Sequence, residues 1–448
     1  MKKSLFAVAA VTAFAGAAQA QSSVTVYGIL DVGYVGSNAK EVAAPSATNA
    51  GINVANTQTT KIVKNAFGAG NEQTSRLGFK GTEDLGGGSS AFFTVELGLT
   101  PTNSSLSGST DKDSIQGTTQ AGGSGVDNRQ SFVGIKKNGL GQVAMGRQYT
   151  LIFNSGAATN PGQYNSIAGD VIYNAGSVYT ADNNASGTNN SVGFTNRASN
   201  ALTFSSEVVA GFKLNGMYAL NNANSSQLAA TSNSSGGGGN VNWNGWGAGL
   251  DYTWNKLFVT AAYQSFKSQL TNGVYASSGT LMNTGSTGPL AGQLSATGLL
   301  LAPTLLSDKQ MFAGATYDFG ILKAYAQWVG RKVQNDVTSS FTIGNGTSAT
   351  SVVAGQQLNR NAQQIGVRSY ITPVIESWGS IGQGNYKTTE ASANVRFVGW
   401  QLGSNYYLSK RTNLYAIYGQ QQSTSGTPST AGSGASANQY ALGLRHTF

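Results

Sequence analysis

The stretch Val24-Thr25-Val26-Tyr27-Gly28-Ile29-Leu30-Asp31-Val32-Gly33-Tyr34 decides the fold. In an extended strand successive side chains point to opposite sides, so Val24, Val26, Leu30, Val32 and Tyr34 share one face and Thr25, Tyr27 and Asp31 the other. One face suits hydrocarbon and the other suits water. The same period of two recurs along the chain in segments of about ten residues separated by stretches rich in Gly, Ser, Asn and Thr, the pattern of a transmembrane β-barrel.

The connections alternate between two kinds, as hairpins with short periplasmic turns and long external loops require. Short ones fall at 83–88, 136–141, 206–211, 254–256, 318–320, 372–374 and 409–412. Long ones fall at 37–72, 101–127, 150–195, 221–242, 267–308, 332–360, 384–392 and 420–438. Seven turns and eight loops give a 16-stranded antiparallel barrel, with the turn at 372–374 inferred partly from the count. An even count puts both termini at the short-turn end, where 24–34 can pair with 439–448 and leave no open edge in lipid. About sixteen strands enclose an aqueous lumen, whereas about eight are filled by side chains.

Composition agrees. The chain has 60 glycines, 7 prolines, no cysteine and 10% charged residues, against ~25% in soluble domains. Lys2, Lys3, the apolar run from Leu5 to Ala15 and Ala18-Gln19-Ala20 read as a secretion signal over 1–20, leaving 21–448 as the barrel domain. No later window holds the ~18 apolar residues of a membrane helix. Net charge is +9, or +9 − 2 = +7 without Lys2 and Lys3. The basic residues are scattered singly, which argues against nucleic acid and favours anionic solutes.

Catalysis finds little support. The sole histidine, His446, falls on the lipid-facing stripe of the last strand, and there is no cysteine nucleophile or thiolate ligand. Glu83 and Asp84 lie in a short turn, and the glycines at 86–88 and 236–239 precede no phosphate-binding helix. Neither enzyme activity nor a cofactor or metal is expected.

Several segments carry a resemblance: Ser23-Val24-Thr25-Val26-Tyr27-Gly28, Ser75-Arg76-Leu77-Gly78-Phe79-Lys80-Gly81-Thr82-Glu83-Asp84-Leu85-Gly86, Asn128-Arg129-Gln130-Ser131-Phe132-Val133-Gly134 with Gly146-Arg147-Gln148, Tyr407-Leu408-Ser409-Lys410-Arg411-Thr412, and Gly443-Leu444-Arg445-His446-Thr447-Phe448. Together they resemble the general porins of β-proteobacteria, the neisserial-type family of trimeric sixteen-stranded outer-membrane barrels. The resemblance implies passive diffusion of small hydrophilic and anionic solutes through a lumen narrowed by the third long loop. It also implies a homotrimer, contact with outer-membrane lipid and lipopolysaccharide, and assembly by the barrel-assembly machinery.

For the constriction it points to Arg76, Lys80, Arg129, Arg147 and Arg197 on the wall, facing Asp170 and Asp182 on the loop. The Pro-Glu-Phe-Gly-Gly-like loop tip of many relatives is absent, and Asn160-Pro161-Gly162-Gln163 is the nearest stretch. With Leu77, Phe79, Leu202 and Phe204 turned to lipid, Arg76, Lys80 and Arg197 face the lumen. Arg129 and Arg147 share parity with apolar outward residues and need a bulge or a strand end to turn inward. The same parity assigns Lys213, Arg368 and Arg396 to the lumen. Tyr440, Leu442, Leu444 and Phe448 form an outward stripe that resembles the C-terminal assembly signal of outer-membrane proteins. Uncompensated basic groups lower the energy of a permeating anion, so a weak anion preference is expected. A substrate-specific channel and a secreted β-solenoid or adhesin passenger are the alternatives, the latter weakened by the lack of a fixed repeat.

Overall fold

A computed structural model describes residues 23–42, 59–102, 127–173, 193–225, 239–271, 304–335, 341–343, 350–352, 357–388, 394–427 and 430–448; the stretch 1–20 read as a secretion signal, Asp182 and most of the long connections lie outside them. The strands are β1 (Ser23–Val42), β2 (Thr59–Ala69), β3 (Arg76–Gly86), β4 (Ser89–Gly98), β5 (Asn128–Lys137), β6 (Gly141–Tyr149), β7 (Arg197–Ser206), β8 (Phe212–Ser225), β9 (Gly239–Trp254) and β10 (Leu257–Thr271). They continue as β11 (Thr304–Asp318), β12 (Lys323–Asn335), β13 (Phe341–Ile343), β14 (Thr350–Val352), β15 (Gln357–Thr372), β16 (Ile375–Thr388), β17 (Asn394–Tyr407), β18 (Thr412–Thr427) and β19 (Thr430–Thr447). Among the described residues a single helix, α1 (Leu151–Thr159), follows β6.

Seventeen strands form one closed antiparallel sheet, while β13 and β14 pair only with each other. The lower part of β1 pairs with β3 and its upper part with β2, so β2 and β3 are two halves of one stave broken at residues 70–75. That makes sixteen staves from seventeen strands. The other edge of β1 pairs with β19 from Ile29↔Thr447 to Val42↔Gly434, and Gly28 and Phe448 exchange two backbone hydrogen bonds of 3.1 Å. A barrel sealed in this way leaves no unpaired edge in hydrocarbon.

The seven short turns fall where the sequence places them, including the one at Pro373-Val374. The first long connection differs. β1 runs on to Val42, and β2 occupies Thr59–Ala69 inside the stretch read as loop. Strand pairing there continues with Lys40, Asn65 and Lys61 in the strands, and such polar residues carry no apolar alternation to betray it.

Alternation sorts the faces. Val26, Leu30, Leu214, Leu250, Ile365 and Leu442 are exposed to the outside, and Asp31, Arg129, Gln264, Gln327 and Gln401 are buried inside. The largest apolar cluster lies inside the barrel, where Ile152, Ile172 and Phe194 of the third loop pack on Leu306, Phe312, Val329 and Leu358 of the inner wall.

Candidate pore constriction

The third loop enters the lumen through α1. Thr150 caps the helix by accepting from Phe153 N (3.3 Å), and its hydroxyl donates to Thr195 O (2.6 Å), tying the start of the loop to its end. The helix packs on the inner face of β8 to β12. Beyond it, residues 160–168 run along the wall toward β19, and 169–173 double back to β15.

Neutral amides hold this path. Ile152 N donates to Gln264 of β10 (3.4 Å), Thr195 N to Gln310 of β11 (2.8 Å), Val171 N to Gln364 of β15 (3.0 Å) and Ala168 N to Gln439 of β19 (2.9 Å). In the other direction Gln327 of β12 donates to Gly156 O (2.9 Å), and Gln401 of β17 to Ile167 O (2.5 Å) and Ala168 O (3.0 Å). A carboxamide carries both donor and acceptor, so one residue type can satisfy either backbone group of an irregular segment buried in the lumen. Close approach needs missing side chains too. Gly169 sits at φ 108°, and a Cβ on Gly399 of β17 would come to 2.6 Å from Gly169 O.

Opposite this lining, β3 to β7 build a basic cluster. Glu96 on β4 points inward and accepts from Arg129 Nε at 2.7 Å, with Arg76 NH1 3.9 Å away. Arg129 also donates to Tyr149 Oη (2.7 Å), and the Arg197 guanidinium lies over the Tyr149 ring at 5.0 Å. Tyr149 stacks on Phe153 of α1, with centroids 4.0 Å apart, so the cluster abuts the loop. Arg76 and Arg129 against this one carboxylate leave 2 − 1 = +1. Arg129 turns inward through a bulge: Glu96 pairs with Gln130 and Leu97 with Asn128, leaving Arg129 as the extra residue.

The remaining expected residues scatter. Lys80 lies on the lumen side near the short-turn end, its Nζ 5.4 Å from the Tyr27 ring. Arg147 is a correction: it keeps the parity of Val143 and Met145, outside the Glu96 cluster, and donates along the wall to Asn128 O (2.6 Å) and Ser199 Oγ (2.7 Å). The adjacent irregularity, where Asn200 takes φ 52°, supplies its extra residue on β7, so it does not reverse Arg147.

Asp170 does not face the arginine cluster. It is buried and accepts from Ile172 N (2.8 Å), Tyr173 N (2.9 Å) and Asn160 Nδ2 (2.7 Å), so it folds its own loop. Burial pushes its carboxyl above the ordinary range, and those three hydrogen bonds pull against the rise. Asp182 lies outside the described residues.

Lys213 is on the lumen face, beneath α1 in a cavity it shares with Asp251 and Asn215. Arg368 reaches Pro161 O (2.6 Å) and Glu376 (2.8 Å) across the lumen face of β15 and β16. Arg396 is a second correction. It shares the exposed face of β17 with Val398 and Leu402, while Phe397 is buried inside. Near a strand end an outward arginine costs only about 0–1 kcal/mol, so the midplane penalty does not apply.

The glutamines were not foreseen, since a single Gln in a strand has no periodic signature. Nor was the buried pair Arg331–Asp308 at 2.6 Å, which the alternation of Asp308 with Lys309 could have revealed. The outward stripe of the last strand is present: Tyr440, Leu442, Leu444 and Phe448 are all exposed, and the Phe448 ring covers Gly28 of β1.

A family model described as Gram-negative porin matches residues 7–427. An outer membrane porin protein of Bordetella pertussis is 27% identical over 460 residues, covering 100% of both chains. Outer membrane porin protein 32 of Delftia acidovorans is 45% identical over 98 residues, 21% of this chain and 22% of that one. Among solved structures, the anion-selective porin from Comamonas acidovorans superposes with a TM-score of 0.55 at 20% identity, covering 96% of this chain and 100% of that one. Lying in the outer membrane as a closed sixteen-stranded barrel around a loop-narrowed lumen, the chain belongs to the Gram-negative porin family and is a general diffusion channel.

Proposed function

We propose that the channel is weakly anion-selective, that Arg76, Arg129 and Arg197 set the preference, and that the barrel works as a homotrimer without catalytic activity. The observation that carries this reading is the placing of Arg76 and Arg129 on one carboxylate, Glu96, with Arg197 over the neighbouring Tyr149 ring, beside the inserted loop. Elsewhere on the inner wall Arg331 pairs with Asp308, Arg368 with Glu376 and Arg445 with Glu72, while Arg360 is buried, donating to Val171 O and lying over the Tyr386 ring. The surplus of positive charge of Arg76 and Arg129 over Glu96, in a lumen bounded by a low-dielectric wall, lowers the energy of an anion passing it and raises that of a cation.

The trimer and the C-terminal assembly signal rest on the resemblance of sequence, and cleavage after residue 20 on the signal pattern. Zero-current potentials across a planar bilayer in a KCl gradient test the selectivity. Anion preference is expected; clear cation preference would refute the assignment of the cluster.

A further inference from the structure

Beneath α1 the inner wall of β4 to β10 is hollowed into a cavity of about 310 Å³. Among the described residues that line it, Lys213 of β8 and Asp251 of β9 alone carry charge. Lys213 is the second residue of β8 and Asp251 lies three before the end of β9, so both stand next to short turns, on the inner side of the channel. They are directly opposite each other across the two strands, where Cβ atoms lie about 4.5–5.5 Å apart.

Opposite charges so placed can pair, yet among the described residues Lys213 has neither an ion pair nor a hydrogen bond. Asp251 turns its oxygens to neutral donors instead. Thr260 Oγ1 donates to Oδ1 (2.6 Å) and Asn215 Nδ2 to Oδ2 (2.9 Å). Asn215 accepts in turn from Ser205 Oγ (2.8 Å), and Thr260 Oγ1 lies 2.8 Å from Ser155 Oγ of α1. The carboxylate is therefore fixed, and each oxygen keeps a lone pair for a further donor.

The rest of the lining supplies rings and amides. Phe92 and Phe132 meet edge to face with centroids 6.3 Å apart, Phe258 adds a third ring, and Gln142 and Asn154 are exposed where the cavity opens to lumen water. A cavity of about 150 Å³ holds benzene, so this one has room for a ring and a short charged group beside it. Its two charges cancel, unlike the surplus at Glu96, so it offers no net attraction to a free anion or a free cation. What it presents is one fixed cation and one fixed anion side by side, each without a counter-ion.

We propose that this cavity binds a zwitterionic α-amino acid with an apolar side chain. The solute's carboxylate meets Lys213, its ammonium meets Asp251, and its side chain lies against the phenylalanine rings. The site is outside the Glu96 cluster and its test reads binding rather than ion preference, so it stands or falls separately from the selectivity of the pore.

Saturation-transfer NMR titrations on the detergent-purified, assembled full chain test it with L-phenylalanine, with 3-phenylpropionate, which lacks the ammonium, and with 2-phenylethylamine, which lacks the carboxylate. L-Phenylalanine should bind saturably and each truncated probe at least about tenfold more weakly, since a hydrogen bond to a charged group is lost. Lys213→Gln and Asp251→Asn should each weaken L-phenylalanine by about the same factor. Lys213→Gln should not weaken 2-phenylethylamine, nor Asp251→Asn 3-phenylpropionate. Ala158→Trp, at an exposed position of α1 on the cavity, crowds it with both charges in place and should weaken L-phenylalanine as well. Lys80→Gln removes a lumen lysine outside the lining and should leave binding unchanged. Should a charge variant fail to assemble, Ala158→Trp and the three probes on the unaltered chain decide. Lack of saturable L-phenylalanine binding, equal binding of either truncated probe, unchanged binding in the charge variants, or the same loss in Lys80→Gln would overturn the proposal.

Discussion

The docking of the third loop on the wall can be tested at one inward glycine. A Cβ added at Gly399 would stand 2.6 Å from Gly169 O and 3.0 Å from Gly169 C, whereas ordinary contact begins near 3.4 Å. Gly399→Ala therefore requires a shift of at least 3.4 − 2.6 = 0.8 Å. The atoms struck are loop backbone, and β17 is fixed by ladders to β16 and β18, so the loop moves and the wall does not. Moving Ala168 by that amount stretches its bonds with Gln401 (3.0 Å) and Gln439 (2.9 Å) toward 3.7–3.8 Å, beyond hydrogen-bonding range. At about 1 kcal/mol net for each bond, docking weakens by about 2 kcal/mol. The ratio of docked to undocked loop then falls about thirtyfold. Single-channel recording should show lower main conductance and added substates, with the barrel's heat-modifiable migration on gels unchanged. Gly249→Ala is the matched control, because a Cβ on that inward glycine meets nothing nearer than 3.5 Å. Identical traces from Gly399→Ala and the unaltered channel would refute the account of the loop as pressed onto the wall.

Charge changes in the cluster should act in opposite directions. Arg76→Gln lowers its net charge by one and Glu96→Gln raises it by one. For an ion passing about 10 Å away, one charge is worth about 0.4 kcal/mol in a water-like medium. With screening in about 0.01 M salt, the anion-to-cation permeability ratio should change roughly threefold per charge, down in the first variant and up in the second. Reversal potentials that move the same way in both would sink the assignment. Asp308→Asn leaves Arg331 buried beside a neutral partner and should cost about 3–5 kcal/mol, seen as a lower melting temperature, while Asp308→Leu with Arg331→Met should recover most of it. Deleting Phe448 removes two backbone bonds at the seam and the ring over Gly28. Assembled yield should drop while the conductance of surviving channels is unchanged; normal yield would count against a role in assembly.

The barrel was legible because lipid imposes one rule on every stave. Val24, Val26 and Leu30 must face outward, and the short turns follow from where each run of alternation stops. The inward turn of Arg129 was legible in the same terms, since parity required a bulge or a strand end there, and the bulge is the one present. Arg396 shows where the rule fails. Its neighbour Phe397 looks like a lipid-facing residue, yet it is buried inside against Tyr386 and beneath the Arg360 guanidinium. Alternation identifies an apolar face and a polar face; it identifies outside and inside only where the inside is wet.

The inner face of β10 to β17 is not wet, because the loop covers it. Phe312, Val329, Leu358 and Phe397 are inward and buried, and among the polar residues between them glutamines bind loop backbone, joined by Arg360 on Val171 O and Arg368 on Pro161 O. Charged side chains in their place would pay heavily for leaving water without a counter-ion, which amides avoid by giving and taking one hydrogen bond each. The two halves of the lumen therefore obey different rules. Toward β10 to β19 the wall is a docking surface, where amide hydrogen bonds, Arg360, Arg368 and missing side chains fix a loop. Toward β3 to β7 the wall keeps its charge, and Arg76, with a fifth of its side chain exposed, keeps contact with water. A mutation on the first half should alter the width of the passage, and one on the second half its ionic preference, with little crossover between the two readouts.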